Sequence, residues 1–246
     1  MSALNHELMT ELLEAGVHYG HQSKKWNPKM KPFILEERNS IYIIDISQTA
    51  SQLEAAAQFL AKIVKGDGKV LFVGTKRQAQ DAIKEAALAT GHFYVNQRWL
   101  GGTLTNLSTI RKSVARLREF EAREKTSDFA RLNKSEAAAL RREAAKLRRN
   151  LEGVLEMDRL PDALFVIDTN REQIAIQEAS RLKIPVVAIV DTNCDPDLID
   201  YPIAGNDDAI RSIRIILQKI VSALLATKDG NQPISSSSPE LAAVVR

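Results

Sequence analysis

Hydrophobic residues recur along this chain with more than one period. Leu4, Leu8, Leu12 and Leu13 share a helical face, so residues 4–15 are expected to form an amphipathic helix that stops at Gly16. A loop through Pro28 and Pro32 follows. Phe33-Ile34-Leu35 and Ile41-Tyr42-Ile43-Ile44 flank the polar Glu37-Arg38-Asn39-Ser40, the pattern of a hairpin leading into the first core strand. The chain then alternates. An Ala-rich helix over 49–65 ends at Gly66, strand 69–73 runs into Gly74, and a helix over 76–90 precedes strand 93–95. Beyond a long excursion come strand 163–167, helix 171–182, strand 186–190 and helix 207–226. Short β-branched runs separated by helix-length segments predict an α/β fold with helices on both faces of a parallel sheet. The expected form is a flavodoxin-like, doubly wound sheet of five parallel strands.

The excursion keeps a different period. Leu107, Ile110, Val114 and Leu117 are spaced 3, 4, 3, and Leu140, Ala144, Leu147, Leu151 and Val154 are spaced 4, 3, 4, 3. This is the 3.5-residue seam of a coiled coil, present twice with a polar turn near 125–134 between. Each helix can bury its seam only against the other, which predicts an inserted antiparallel coiled-coil helical hairpin. The chain thus divides into an α/β core domain of residues 1–104 and 159–228 and a hairpin insertion over 105–158. Residues 229–246, rich in Ser and Pro, read as a disordered tail.

Composition changes this picture little. A chain of 246 residues with 44% hydrophobic and 26% charged content can bury a sizeable core. The net charge of +3 is modest, so a polyanion partner must be argued from where charge sits. From Arg111 to Arg159 there are fourteen Lys or Arg against nine Asp or Glu; from Asp191 to Asp229 there are seven acids against four bases. The single Cys194 excludes an internal disulfide and fits a reducing compartment. No apolar run reaches the ~18 residues of a membrane span. Glu7, Glu11 and Glu14 do not suit a signal peptide, so the expected location is cytoplasmic.

Two stretches carry the candidate chemistry. One is Gly16-Val17-His18-Tyr19-Gly20-His21 followed by Lys24-Lys25-Trp26-Asn27-Pro28-Lys29-Met30-Lys31. The other is Asn96-Gln97-Arg98-Trp99-Leu100-Gly101-Gly102-Thr103-Leu104-Thr105-Asn106. Each sets an indole among cations, amides and glycines. Lys and Arg neutralise phosphates, Trp and His can stack on a base, and glycine lets backbone N–H groups approach a phosphate. Neither stretch offers a nucleophile with its base, which argues for holding RNA rather than transforming a substrate.

Both stretches, in this order, resemble the family of the small-subunit ribosomal protein two, bacterial type (the universal uS2 family). Gly74-Thr75-Lys76-Arg77-Gln78-Ala79-Gln80, Leu160-Pro161-Asp162-Ala163-Leu164-Phe165-Val166-Ile167-Asp168 and the run from Ile184 through Asp195-Pro196 to Asn206-Asp207-Asp208-Ala209-Ile210-Arg211-Ser212-Ile213 are similar in the same register. The likeness spans roughly residues 4–225. Ser40 and Glu152 stand where glycine is usual, and Ala204 where proline is. The resemblance implies a structural constituent of the small ribosomal subunit that binds small-subunit rRNA and supports assembly and translation. It also implies a place bridging head and body on the solvent side. Neighbouring small-subunit ribosomal proteins, including the large mRNA-binding ribosomal protein one, are the implied partners.

Other chemistries fit the residues less well. His18 and His21 could ligate a metal, but a zinc site usually adds cysteines and only the distant Cys194 exists, so no metal is expected. Gly74-Thr75-Lys76 has the setting of a phosphate loop but lacks the Walker spacing, so no nucleotide cofactor is expected; a helix N-terminus there could still receive an RNA phosphate. The Asp191–Asp197 run could hold Mg²⁺, yet turn and capping chemistry accounts for it. The Arg-rich hairpin could bind RNA or protein. The expected RNA-binding residues are His18, His21, Lys24, Lys25, Lys29, Lys31, Lys76, Arg77, Gln97, Arg98, Thr103, Asn106 and Arg111, with no catalytic residue. An enzyme using the strand ends near Gly74 and Asp191, or a scaffold whose hairpin binds only protein, are the competing readings.

Overall fold

A computed structural model describes residues 3–124 and 133–228. Most of the expected turn near 125–134 and all of the tail 229–246 lie outside the described residues.

Helix α1 (Ala3–Glu14) leads into a three-stranded antiparallel sheet of β1 (Tyr19–Gln22), β2 (Ile34–Arg38) and β3 (Ile41–Ile44), in the order β1-β3-β2. The expected hairpin is there, and Asn39 and Ser40 turn it with φ of 51° and 60°. It does not lead into the large sheet. Its partner is β1, in a segment expected to be loop, because Tyr19-Gly20-His21-Gln22 has no strand pattern and pairs only through β3. Two short 3₁₀ turns, Ser23–Lys25 and Pro28–Phe33, connect β1 to β2.

The large sheet contains β4 (Val70–Val73), β5 (Phe93–Val95), β6 (Ala163–Ile167), β7 (Val186–Val190) and β8 (Tyr201–Ala204). All five are parallel, in the order β5-β4-β6-β7-β8. Numbered within this sheet, the order is 2-1-3-4-5, the flavodoxin-like arrangement. The fifth strand is β8, which no expected element covered. Pro202 sits inside it and lacks the N–H that an interior strand needs, and β8 is an edge.

The strands β4, β6 and β7 are buried along their whole length because both faces are covered. On one face Val70, Phe72, Phe165, Ile167, Val187, Ile189 and Ile203 pack under α1, α2 (Ile46–Lys65), α3 (Gln80–Thr90) and α7 (Ile210–Lys228). On the other, Leu71, Val73, Leu164, Val166, Ala188 and Val190 meet α6 (Gln173–Leu182), Met30, Ile44 and Trp99. Asp45 caps α2 by accepting the Ser47 N–H at 2.9 Å.

The excursion forms α4 (Leu107–Glu124) and α5 (Lys134–Leu151), which touch each other. Arg116–Glu143, Arg141–Glu124 and Arg148–Glu121 join them across the seam. Their bases belong to the second core: Ile110, Val114, Leu151 and Val154 are buried with Val95, Trp99 and Leu164. Toward the far end, Leu140, Ala144 and Leu147 are only half-buried. Gly153 explains the close seat of this base, because a Cβ there would lie 2.0 Å from the Tyr94 carbonyl oxygen.

Candidate functional site

The loops after all five parallel strands gather at one end of the sheet: 74–79, 96–106, 168–172, 191–199 and 205–209. In open α/β sheets this carboxyl end is where ligands sit. Here the chain's own N-terminal segment lies across it. The Asn206 N–H donates to the Val17 carbonyl at 3.0 Å, the His21 N–H to Thr192 Oγ1 at 2.8 Å, and the Asn27 N–H to the Thr192 carbonyl at 2.8 Å. Gly20 permits this approach; a Cβ there would come within 2.5 Å of Thr192 Cγ2.

Under that segment lies a cage of acids. Lys76 Nζ is 2.6 Å from Asp207 Oδ1, 2.6 Å from Asp208 Oδ1 and 3.3 Å from Asp168 Oδ2. Burial lowers the Lys76 pKa, but Asp207, Asp208 and Asp168 more than offset it, and the net shift is upward. Burial, then Asp191 and Asp168, push the Asp207 carboxyl up against the pull of Lys76. Burial would also raise Asp208, yet Lys76, His21 and Lys25 bring it below its usual value. His21 Nδ1 is 3.0 Å from Asp191 Oδ2 and Nε2 is 3.2 Å from Asp208 Oδ2. The hydrogen bond with Asp191 raises the His21 pKa, against burial, and Asp208 and Asp207 add to the rise. Beside the cage, buried Glu172 accepts the Thr75 N–H at 3.0 Å and the Thr75 hydroxyl, and Arg171 Nε donates to that hydroxyl at 2.9 Å.

The second stretch is organised by one carboxylate. Glu178 Oε1 accepts the Trp99 indole N–H at 3.1 Å and the Gly102 N–H at 2.7 Å. Its Oε2 accepts the N–H groups of Leu104 and Thr105, each at 3.0 Å, and the Thr105 hydroxyl at 3.1 Å. Burial raises the Glu178 pKa, and these donors outweigh it, so the net shift is down. Gly102, at φ 89°, lets the backbone turn so that three N–H groups converge.

The expected RNA-binding residues fall into distinct settings. Lys24, Lys25, Lys31, Arg77, Arg98, Asn106 and Arg111 are exposed. Of the cations among them, Lys24, Lys31, Arg77, Arg98 and Arg111 make no ion pair among the described residues. Lys29 is also exposed but bonded to Asp195 and Asp197. Lys76 is held in the acid cage, and it lies in a loop, since α3 starts at Gln80 rather than 76. His18, His21 and Gln97 are half-buried, and buried Thr103 donates its hydroxyl to the Leu100 carbonyl. Neither indole is an open stacking platform: Trp99 is buried, and Trp26 packs on Tyr42 with ring centroids 5.0 Å apart. Glu178, Asp168 and Glu172 were not foreseen. Glu178 had a signal, because it is an acid beside the apolar stripe Ala175, Ile176, Ala179 of a helix that must face the sheet.

The gathered cationic loops, the hairpin and the flavodoxin-like order can now be set beside known families. The family model of ribosomal protein S2 matches residues 12–227. The chain belongs to the ribosomal protein S2 family. It is therefore a protein of the small ribosomal subunit, from a family of structural proteins rather than enzymes. The match runs through the N-terminal segment, all five parallel strands and both hairpin helices. No helix among the described residues is long and apolar enough to cross a membrane.

Proposed function

We propose that this chain is a non-catalytic constituent of the small subunit that grips rRNA with exposed cations fixed on a rigid α/β body. The observation that carries this is the division of labour among its cations. Lys76 is neutralised inside the carboxyl end of the sheet, while Arg77 and Arg98 stand exposed on loops at that same end and Lys24, Lys25 and Lys31 on the 3₁₀ turns that follow β1. A nucleotide-binding enzyme needs that end open. Here β1, His21 and the Lys76 cage fill it with the protein's own groups.

The hairpin adds Arg111, Lys112, Arg142, Lys146 and Arg149, all exposed and none in an ion pair among the described residues. Affinity then comes mainly from counterion release, with RNA shape choosing the site. Within the cytoplasmic ribosome, either the hairpin or the acidic stretch from Asp191 onward, where Asp197, Asp200 and Asp208 are exposed, would meet protein neighbours. The large mRNA-binding ribosomal protein one is the partner the family likeness suggests. Gradient sedimentation of lysate tests the reading: the chain should travel with the small-subunit peak at physiological magnesium. Its absence there, or turnover of a nucleotide by the purified chain, would overturn it.

A further inference from the structure

We propose that β2 is an open sheet edge on which an extended basic segment of a neighbouring small-subunit protein adds as a further strand. The two sheets have four edge strands, β1, β2, β5 and β8. The chain itself covers three of them. On β8 the Ala204 N–H donates to Gln52 Oε1 at 2.9 Å, and the Ala204 carbonyl accepts the Thr49 hydroxyl at 2.7 Å. Against β5 lies Gly153, with no room for a Cβ beside the Tyr94 carbonyl. On β1 the His21 N–H is taken by Thr192. The edge of β2 is different. Among the described residues, Leu35, Glu36 and Glu37 make no hydrogen bond outside their ladder with β3, and all three are exposed. An uncovered edge is a template for another strand.

Backbone direction shows what this edge offers. Asn39 and Ser40, both at positive φ, form a two-residue turn, so Arg38 and Ile41 are its hydrogen-bonded flanking pair. Bonded and non-bonded pairs alternate along an antiparallel ladder, which leaves the N–H and C=O of Glu37 pointing away from β3. Ile34 faces Ile44 and Glu36 faces Ile43, so Leu35 is an extra residue without a partner on β3. Its side chain is 67% exposed, the highest value for a large hydrophobic residue among the described residues. Charge then selects the occupant. Bulges and charges on an edge turn most strands away. Glu36 and Glu37 outnumber Arg38, so phosphates and acidic strands are repelled, while a Lys or Arg directly opposite is attracted. The order β1-β3-β2 sets this edge across the small sheet from β1, whose following turn carries Lys24 and Lys25. The small sheet thus turns cations to one side and acids to the other. The proposal rests on the chain's place in the small subunit and not on which lysines grip RNA.

The test uses small subunits assembled with the full-length chain carrying the photo-crosslinker p-benzoylphenylalanine in place of Leu35. Irradiation should join it to another protein, within an extended stretch rich in Lys and Arg. Glu37→Pro keeps the ladder with β3 but removes the outward N–H, so the crosslink yield should fall about 5-fold. Glu36→Lys with Glu37→Lys should lower it about 10-fold or more. The salt slope of rRNA binding should keep its wild-type value in Glu37→Pro, which separates this test from the RNA-binding reading. If Glu37→Pro does not enter subunits, Glu36→Lys with Glu37→Lys carries the decision. Crosslinks to rRNA alone, to this chain itself, to an acidic or helical segment, or to nothing would overturn the proposal. So would a yield untouched by the substitutions, or a salt slope lowered by Glu37→Pro.

Discussion

Glu178 holds the indole N–H of Trp99 at 3.1 Å from a helix 79 positions further along the chain. The same carboxylate gathers the N–H groups of Gly102, Leu104 and Thr105, so the loop carrying Arg98 takes its shape from one side chain. Replacing Glu178 by Ala leaves these donors without an acceptor beneath the surface. The expected loss is about 3 kcal/mol or more, since buried groups stripped of a charged partner are costly. Urea denaturation measures it. A loss below about 1 kcal/mol would mean that water replaces the carboxylate freely.

Two glutamates, Glu172 just before α6 and Glu178 within it, respond to pH in opposite senses. Glu178 is depressed in the folded protein, so its contribution is present above the ordinary carboxylate range and disappears as pH falls through its folded value. Glu172 is raised, by burial first, against the hydrogen bonds from Thr75 and the charge of Arg171. Its ionised form therefore penalises the fold as pH rises above the unfolded value. Glu172→Gln should gain stability relative to wild type as pH rises above the ordinary carboxylate range, whereas the deficit of Glu178→Gln should be full there and shrink only as pH falls below that range. Denaturation series across acid and neutral pH read the two windows, and a Glu178→Gln deficit that persists unchanged in acid would contradict the assignment.

Much of the core was legible because it follows simple periods. Strands over 93–95, 163–167 and 186–190 fall where β-branched runs stand between helix-length segments. Strand Tyr201–Ala204 escaped because Pro202 argues against a strand until its edge position is known. Strand Tyr19–Gln22 escaped because it exists through β3 and Thr192 rather than through its own residues. The candidate site was legible by residue type but not by role. Lys24 and Arg98 look alike in sequence to Lys76, yet Asp207, 131 positions away, decides that Lys76 turns inward.

Gly20 is the point at which β1 passes between Tyr42 and Thr192. Gly20→Ala should lift the N-terminal segment and cost about 1–3 kcal/mol through overpacking. Hydrogen exchange at the His21 amide, which donates to Thr192, should speed up before that of β6. Unaltered protection at His21 would show that the segment is held elsewhere.

The hairpin is proposed to be separable only in its outer part. Ile110, Val114, Leu151 and Val154 are core residues, so deleting Leu107–Val154 should expose the sheet and unfold the protein. Joining residues 118 and 147 through a short Gly-Ser linker keeps that base. This shorter deletion should melt cooperatively within a few degrees of wild type. A folded product of the longer deletion would make the whole insertion an independent module.

The central claim is best tested by the salt dependence of binding to small-subunit rRNA. Wild type is compared with the triple variant Lys24→Ala, Lys25→Ala, Lys31→Ala in filter binding across a range of monovalent salt. Each lost phosphate contact lowers the slope of log K against log salt by about 0.7–0.9, so the variant should bind more weakly with a slope smaller by ~2–3 units. A slope identical to wild type would show that these lysines do not face the RNA, contradicting the account.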